Sequence, residues 1–410
     1  MTLKDRLRLL KGETATAVPP APGGDLRSRL RRLRTSTARW DETRTPPDEA
    51  ALAAAVGGER LVPGLLRVEH RLGLDYRHGH VRLGNALSAV PNLLDGADVH
   101  PTRWLFLDTE TSGLAGGTGT WAFLFGAARV EGGALVVRQF LLSRLDAEAA
   151  YLEAVAGEIE GAGLLVSYNG KTFDAPLLST RFRLVGRSSP LDGKPHLDLL
   201  GLVRRAFGRV WPDCRLATAE QRLLGLSRFG DLPGSEVPEA WLAWLRRGET
   251  VRLGGVLNHN RQDLLSLAAL AVPMARSLCD PAATGAEIGA VASYHLARGE
   301  EGRAFALLVA HRQALSPPAL LELARLHRAR GKWEAAIEIW EMLADRDHPA
   351  AIEALAKYLE HRLRDFAGAL RLAQRLPAGP ERERRCRRLE SRLPGGPQAE
   401  PPEPPVCRLG

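Results

Sequence analysis

Apolar runs of strand length alternate with stretches of helical spacing in the middle of the chain. The run Trp104-Leu-Phe-Leu107 is typical of a buried central strand. Two longer runs, 120–130 and 134–142, flank Glu131-Gly-Gly133 and predict a β-hairpin with the glycines in its turn. A stretch with helical spacing follows at 147–159.

The next elements complete an α/β pattern. Residues 163–168 predict a further short buried strand, and residues 176–184 continue as a helix. The order strand, hairpin, helix, strand, helix is typical of a ribonuclease-H-like core, in which helices flank a mixed central sheet. The sequence therefore predicts an α/β domain of this class over residues 59–280.

A pattern with a period of 32 residues predicts a different, all-α domain over residues 284–393. Small residues, a histidine and a glycine recur at that spacing: Ala292, His295, Gly299 and Ala304, then Ala324, His327, Gly331 and Ala336. The segment Gly331-Lys-Trp-Glu-Ala-Ala336 resembles tetratricopeptide repeats, whose period is about 34 residues. A plain helical bundle with chance spacing is the alternative.

The two ends of the chain differ from its middle in charge. Residues 1–39 hold ten Lys or Arg against three Asp or Glu, and residues 371–393 hold eight Arg against three Glu, in a chain of net charge +8. Basic ends predict a polyanion partner, and solvated tails are the alternative. Proline, glycine and arginine runs predict a disordered basic arm over 1–58 and a disordered tail over 394–410.

The overall composition, 45% hydrophobic and 25% charged, is ordinary for a soluble globular protein and excludes a collagen or a mainly disordered chain. Four cysteines are widely spaced and form no C-x-x-C pair, which argues against a zinc site and predicts a cytoplasmic location. The first residues lack the apolar segment of a signal peptide. The longest apolar stretch, 264–279, is interrupted by polar residues, so no membrane segment is expected.

Acidic residues mark the ends of the predicted strands. Asp108 and Glu110 follow the first buried strand two residues apart, so both point to one face of the sheet and repel each other unless a cation lies between them. Asp174 follows the next strand. His259 and Asp263 are four apart at the start of an apolar helix, and therefore neighbours on one helical face.

These three segments resemble the motifs of the DEDD family of 3′→5′ exonucleases, in the DnaQ-like branch of the ribonuclease-H-like fold. Residues 106–114 (FLDTETSGL) are similar to the first motif, 169–174 (NGKTFD) to the second and 259–263 (HNRQD) to the third. Family subtypes are named for a Tyr, usually four residues before the last Asp, or a His, usually five before it. Here His259 stands four before Asp263, which is the spacing of the Tyr subtype.

Further residues are similar to the YprB-like proteins, which are described as nucleases with helical repeats behind the nuclease domain. These are 115–121 (AGGTGTW), 196–200 (HLDLL) and 214–216 (CRL) with Glu220. The resemblance covers roughly residues 60–275 well, the repeats loosely and the N-terminal arm not at all.

The resemblance implies a two-metal phosphodiester hydrolysis. Two divalent cations, Mg²⁺ or Mn²⁺, would be held by Asp108, Glu110, Asp174 and Asp263, with Asp108 bridging them. His259 would orient or deprotonate the attacking water. The residues expected to contact the terminal nucleotide are Thr111, Gly113, Leu114, Asn169 and Lys171.

The sequence therefore predicts a metal-dependent nuclease, a 3′→5′ exonuclease on single-stranded ends, with nucleic acid as its partner and DNA or RNA left open. The helical repeats would recruit a protein partner or position the substrate. One alternative is an interaction scaffold that carries a weakly active or inactive nuclease domain. The other is a ribonuclease-H-type endonuclease, which uses similar acids.

Overall fold

The computed structural model describes residues 47–88, 99–113 and 119–393. The first 46 residues of the predicted basic arm, Leu114 of the first motif and the predicted tail from residue 394 lie outside this range.

The described strands form one seven-stranded mixed sheet and one small hairpin. They are β1 (Glu59–Val62), β2 (Leu65–Gly73), β3 (Arg77–His78), β4 (Val81–Arg82), β5 (Trp104–Thr111), β6 (Ala122–Glu131), β7 (Ala134–Leu142), β8 (Leu164–Ser167) and β9 (His196–Asp198). The order in the large sheet is β1-β2-β7-β6-β5-β8-β9, and β3 pairs with β4. From β1 through β2, β7 and β6 to β5, each strand pairs antiparallel with the next. Strands β5, β8 and β9 pair parallel. The predicted α/β class with a mixed sheet is confirmed.

The register of β5 decides where its acids lie. Phe106 pairs with Val166 of the parallel strand β8, so the segment that follows β8 emerges beside the end of β5. On the other side Asp108 pairs with Gly126 of the antiparallel strand β6. The carboxyl ends of β5 and β8 therefore share one edge of the sheet.

Helices surround the sheet and continue beyond it. Those of the α/β part are α1 (Glu49–Val56), α2 (Glu148–Glu160), α3 (Asp174–Leu184), α4 (Leu199–Phe207), α5 (Leu216–Ala219, extended by a π-helical turn Glu220–Leu224), α6 (Val237–Arg247) and α7 (Val251–Cys279). Alternate residues of β5 enter two apolar clusters of the described residues: Leu105 and Leu107 one, Trp104 and Phe106 the other. Helix α7 contributes to both clusters, with Leu253 in the first and Leu264 in the second.

Helix α1 corrects the predicted start of the folded chain at residue 59. Its Asp48 cap accepts hydrogen bonds from two backbone amides, and Leu52 is fully buried in the apolar core. The prolines and charges that predict disorder lie upstream of this helix, and the alanine-rich stretch 49–56 has no amphipathic periodicity that would predict a helix.

The chain from residue 281 to 393 is all-α, as predicted. Its helices are α8 (Pro281–Thr284), α9 (Ile288–Ala297), α10 (Glu301–Ala310), α11 (Pro317–Ala329), α12 (Trp333–Ala344), α13 (Pro349–Tyr358, extended by a π-helical turn Leu359–Leu363), α14 (Phe366–Gln374) and α15 (Pro380–Glu390). Trp333 at the start of α12 stacks on Tyr358 of α13, with ring centroids 5.6 Å apart. That these helices belong to the tetratricopeptide class stays a prediction.

One apolar cluster runs from the sheet into these helices. It includes Phe106 of β5, Leu270 of α7, Ala292 of α9 and Leu320 of α11. The α/β part and the helical part therefore share a core, although the sequence places a boundary between residues 280 and 284. Within the described ranges no helix has the length and apolar character needed to cross a membrane.

Part of the basic cluster at 371–393 binds neighbouring helices. Arg375 lies 2.8 Å from Asp347, Arg385 lies 3.0 Å from Glu353, and the Arg388 guanidinium contacts Glu360 at 2.9 Å. These three arginines connect residues 375–388 to acids between 347 and 360. The polyanion partner predicted for this cluster would therefore depend on its remaining arginines.

Helix α7 crosses the sheet at Gly126, and only glycine fits there. A Cβ atom at this position would lie 2.1 Å from Oδ1 of Asn260 and 2.7 Å from the Leu264 side chain. Asn260 is fully buried, and hydrogen bonds hold its side chain, so it has no room to move.

We expect Gly126→Ala to destabilise the protein by about 1–3 kcal/mol, the usual cost of overpacking a core. Gly201→Ala is the matched control, since a Cβ atom there meets nothing within 4 Å and Gly201 lies in helix α4. Alanine should stabilise that helix slightly. Thermal unfolding followed by circular dichroism measures both variants, and equal melting temperatures for the two would refute the close approach.

Candidate functional site

Three elements bring the predicted acids to one edge of the sheet. Asp108 and Glu110 project from the end of β5, and Asp174 is the first residue of α3, after the loop that follows β8. His259 and Asp263 lie one turn apart on α7. We call Asp108, Glu110, Asp174 and Asp263 the acid cluster.

The carboxyl groups of the acid cluster interact through their charges. Burial raises the pKa of Asp108 well above its usual range, and the charges of Asp263, Glu110 and Asp174 raise it further. Burial likewise raises the pKa of Glu110, and the charges of Asp263 and Asp174 are the next largest contributions. The pKa of Asp174 is raised to about 6, chiefly by burial. The acid cluster therefore carries negative charge that the protein compensates only in part.

Two of these acids, Asp108 and Asp174, have a hydrogen-bond donor that holds them in place. Asn260 of α7 donates through Nδ2 to Oδ2 of Asp108 at 2.8 Å, and Gln139 of β7 donates to Oδ1 of Asn260 at 2.8 Å. The hydroxyl group of Thr109 donates a hydrogen bond to Oδ1 of Asp174. Gln139 and Asn260 are fully buried, so this chain of amides fixes α7 to the sheet at the site.

Arg228 binds the acid on α7. Its Nη2 lies 2.5 Å from Oδ1 of Asp263, and its Nη1 lies 3.0 Å from Oδ2 of Asp231. Nε donates to Oε2 of Glu220 at 2.9 Å, and Glu220 is 1% exposed. One guanidinium thus connects three carboxylates. No sequence motif distinguishes Arg228 from the other arginines as a site residue, because its partners lie on different elements.

The ring of His259 is oriented by Asp231. Its Nδ1 lies 2.8 Å from Oδ2 of Asp231, and its Nε2 lies 3.9 Å from Oδ2 of Asp263. Burial alone would raise the pKa of Asp231, but hydrogen bonds and charges from Arg228 and His259 hold it below its usual range. An ionised carboxylate only accepts hydrogen bonds, so Nδ1 is the donor and Nε2 faces the acid cluster.

A second layer of buried groups supports Arg228. The Oγ atom of Ser266 on α7 donates to Glu220 and therefore accepts from Nε2 of His78, 2.7 Å away. Burial lowers the pKa of His78 to about 4, with a smaller contribution from Arg228, so its ring is neutral. Glu220 begins the π-helical turn, a feature that is frequent near functional sites.

The predicted metal ligands do not form a ready metal site. Among the described residues, no group of three or more His, Cys, Asp or Glu side chains is arranged to hold a common ion. The physical reason is that three members of the acid cluster are turned to their own neighbours: Asp108 to Asn260, Asp174 to Thr109 and Asp263 to Arg228. The donor set itself consists of four carboxyl groups, and repulsion from its neighbours raises the pKa of Asp108. Such a set of oxygen donors fits a hard divalent cation. Metal binding stays a prediction.

Two clefts open on either side of the acid cluster. One, of about 500 Å³, is lined by Glu110, Asp174, Thr111 and Gly113 among others. The other, of about 470 Å³, is lined by His259, Asp263 and their partners Arg228 and Asp231. The predicted contacts Thr111 and Gly113 therefore do lie beside the acids.

Asn169 and Lys171 line a different cleft, although Gly170 between them lies close to the Asp174 carboxyl group. This cleft, of about 290 Å³, is also lined by Arg204 of α4. Asn169 has a positive φ of 69°, which asparagine tolerates. Its backbone N–H donates to Oδ1 of Asp198 at 2.7 Å. Asp198 thus shapes this loop and turns it toward α4. Leu114, the fifth predicted contact, lies outside the described residues.

Sequence signals for the supporting residues are uneven. Asn260 stands inside the third motif, and that position is the signal by which it could have been found. Asp231 and Gln139 stand in no motif, and only the folded chain brings them to the site.

Comparisons with known proteins found a family model, a relative and a solved structure that match parts of this chain. A family model described as the RNase_H superfamily matches residues 105–275. The uncharacterized protein YprB of Bacillus subtilis (strain 168) is 32% identical over 298 residues, which are 70% of this chain and 72% of YprB. Among solved structures, the family B DNA polymerase of the hyperthermophilic archaeon Pyrobaculum calidifontis matches with a TM-score of 0.32 and 14% identity. That match covers 68% of this chain and only 35% of the polymerase.

We expect Asp108→Asn to raise the melting temperature of the metal-free protein at pH 7.5 and to change it little at pH 4.5. A carboxyl group whose pKa is higher in the folded chain stabilises it in acid and destabilises it as the pH rises through the folded pKa. For Asp174 that rise runs from its ordinary value of about 4 to the folded value of about 6. Removing the charge of Asp108 relieves repulsion only where its neighbours are ionised.

Thermal unfolding in EDTA at the two pH values measures this difference. Exposed Asp192→Asn serves as the control and should shift neither melting temperature. An equal loss of stability for Asp108→Asn at both pH values would mean that its hydrogen bond to Asn260 outweighs the repulsion.

Proposed function

We propose that this chain, which belongs to the RNase_H superfamily and to the family of YprB, is a metal-dependent nuclease. More narrowly, we propose a 3′→5′ exonuclease that acts on single-stranded ends of DNA or RNA. The observation that carries the proposal is the acid cluster, in which neighbouring acids raise the pKa of Asp108 and of Glu110 beyond the effect of burial. The structure holds such a cluster together although repulsion disfavours it, which is typical of a functional site.

RNase H-like nucleases generally use divalent metal ions. We propose two, Mg²⁺ or Mn²⁺, which Asp108, Glu110, Asp174 and Asp263 would hold. The all-carboxylate donor set supports hard cations of this kind over zinc. When bound, they would lower the pKa of a water molecule and stabilise the charge on the leaving oxygen.

The chain's own residues have three tasks in this proposal. Asn260 fixes the carboxyl group of Asp108 against the sheet. Asp231 holds Nδ1 of His259, so that Nε2 is the atom that takes a proton from water at the edge of the acid cluster. Thr111 and Gly113 line the cleft beside Glu110, where a terminal nucleotide would bind.

The proposal predicts metal-dependent cleavage of oligonucleotides. The wild-type protein should shorten 5′-labelled single strands stepwise in Mn²⁺ or Mg²⁺ and not in EDTA. Asp108→Asn should abolish cleavage without loss of folding, and exposed Asp192→Asn should leave it intact.

Gel analysis of 5′- and 3′-labelled DNA and RNA separates the alternatives. Internal cuts would indicate a ribonuclease-H-type endonuclease. A folded wild-type protein that cleaves nothing would instead support the interaction scaffold.

A second prediction concerns the proton acceptor. His259→Ala should lower kcat by about 10²–10⁴-fold, the usual contribution of a general base, with little change in metal affinity. His259→Tyr should keep more activity than His259→Ala, because tyrosine commonly occupies this spacing in the family that the third motif resembles. Asp231→Ala should lower kcat less than His259→Ala, since the ring loses its anchor but not its nitrogen.

Single-turnover rates at saturating Mn²⁺ measure these effects. Wild-type rates for His259→Ala would assign the histidine a structural role only.

A further inference from the structure

Phe229 is the most exposed large hydrophobic side chain of the described residues, at 94% exposure. A single exposed apolar residue needs no special explanation by itself. Phe229, however, lies between two residues of the candidate site, Arg228 and Asp231, with only Gly230 intervening. Its position relative to the acid cluster is therefore determined by theirs.

Both flanks of this segment are anchored. Arg228 contacts Asp263 at 2.5 Å, and Asp231 contacts His259 at 2.8 Å. Gly230 between them has a φ of +68°, a conformation that other residues rarely adopt. The segment is thus a defined turn that presents an aromatic ring to solvent beside the acid cluster.

Two carboxamides share a cleft with this ring. The cleft, of about 180 Å³, is lined by Phe229, Arg228 and the α7 residues Asn258 and Gln262. Asn258 and Gln262 directly precede His259 and Asp263, so they lie on the adjoining face of the same helix.

These carboxamides have hydrogen-bonding capacity left over. Oδ1 of Asn258 accepts from Arg261 at 2.8 Å, whereas its Nδ2 donates to none of the other described residues. The half-buried Gln262 side chain makes no hydrogen bond with any other described residue.

We propose that Phe229, Asn258 and Gln262 form a binding subsite for one unpaired nucleobase of the substrate. The ring stacks on the face of the base, and the carboxamides bond to its edge, which is how proteins commonly bind unpaired bases. A base inside a duplex has both faces stacked and its pairing edge in use, so the subsite selects single strands. This inference rests on the proposed nuclease function and specifies its substrate.

Binding in EDTA tests the subsite without any cleavage. The probe is a short fluorescein-labelled single strand, as DNA and as RNA, together with the same strand carrying abasic residues and a blunt duplex. Phe229→Ala should weaken binding of the intact single strand about tenfold, the typical loss for one stacking contact. Phe229→Tyr should restore it.

The controls separate stacking from general damage. Leu363→Ala removes an exposed apolar side chain in the helical part, 58% exposed, and should change no affinity. Phe229→Ala should keep the wild-type melting temperature, because the ring buries almost nothing. The abasic strand should bind the wild type more weakly than the intact strand does, with no further loss for Phe229→Ala. The duplex should not distinguish Phe229→Ala from the wild type.

The outcomes for the subsite and for the nuclease are distinct. Unchanged binding of Phe229→Ala would overturn the subsite, and so would an equal loss of affinity for intact and abasic strands. A wild-type protein that binds no single strand would overturn it as well. If binding follows the expected pattern but Mn²⁺ gives no cleavage, the subsite holds and only the nuclease proposal fails.

Discussion

The close contact between helix α7 and the sheet is the constraint on which the candidate site depends. Gly126 lets the helix approach, and the buried chain from Gln139 through Asn260 to Asp108 locks it in place. Asp108 comes from the sheet, whereas His259 and Asp263 come from the helix. They meet only because no side chain separates the two elements at this point.

That contact has an electrostatic cost. It brings acids from three elements together, and burial with mutual repulsion raises the pKa values of Asp108 and Glu110. Arg228 offsets part of this charge through its contact with Asp263, and its own position is fixed by the buried carboxylate of Glu220. The arrangement is stable enough to fold, yet it keeps a local excess of negative charge, which is what a cation-binding site requires.

Helix α7 also connects the site to the helical part. Its first turns carry His259 and Asp263, while its later residues, such as Leu270 and Leu278, enter the apolar cluster shared with α9 and α11. The helical part therefore packs directly on the element that supplies two site residues.

The sequence by itself determined the local elements and identified the candidate acids. The apolar runs of β5, β6 and β7, the glycine turn between the last two, and the alternation that puts Asp108 and Glu110 on one face all follow from local periodicity. The all-α character from residue 281 is equally local. The exception is α1, whose alanine-rich sequence has no periodicity and is held by packing of Leu52.

Only the tertiary structure decided which side chains meet. It placed Asn169 and Lys171 in a cleft with Arg204, apart from Thr111 and Gly113, because Asp198 binds the loop that carries them. It also brought Asp231 to His259 across 28 residues of sequence. Such pairs depend on the paths that loops take between packed elements. Since periodicity reports only the face on which a residue lies, it carries no information about the partner that the fold brings to that face.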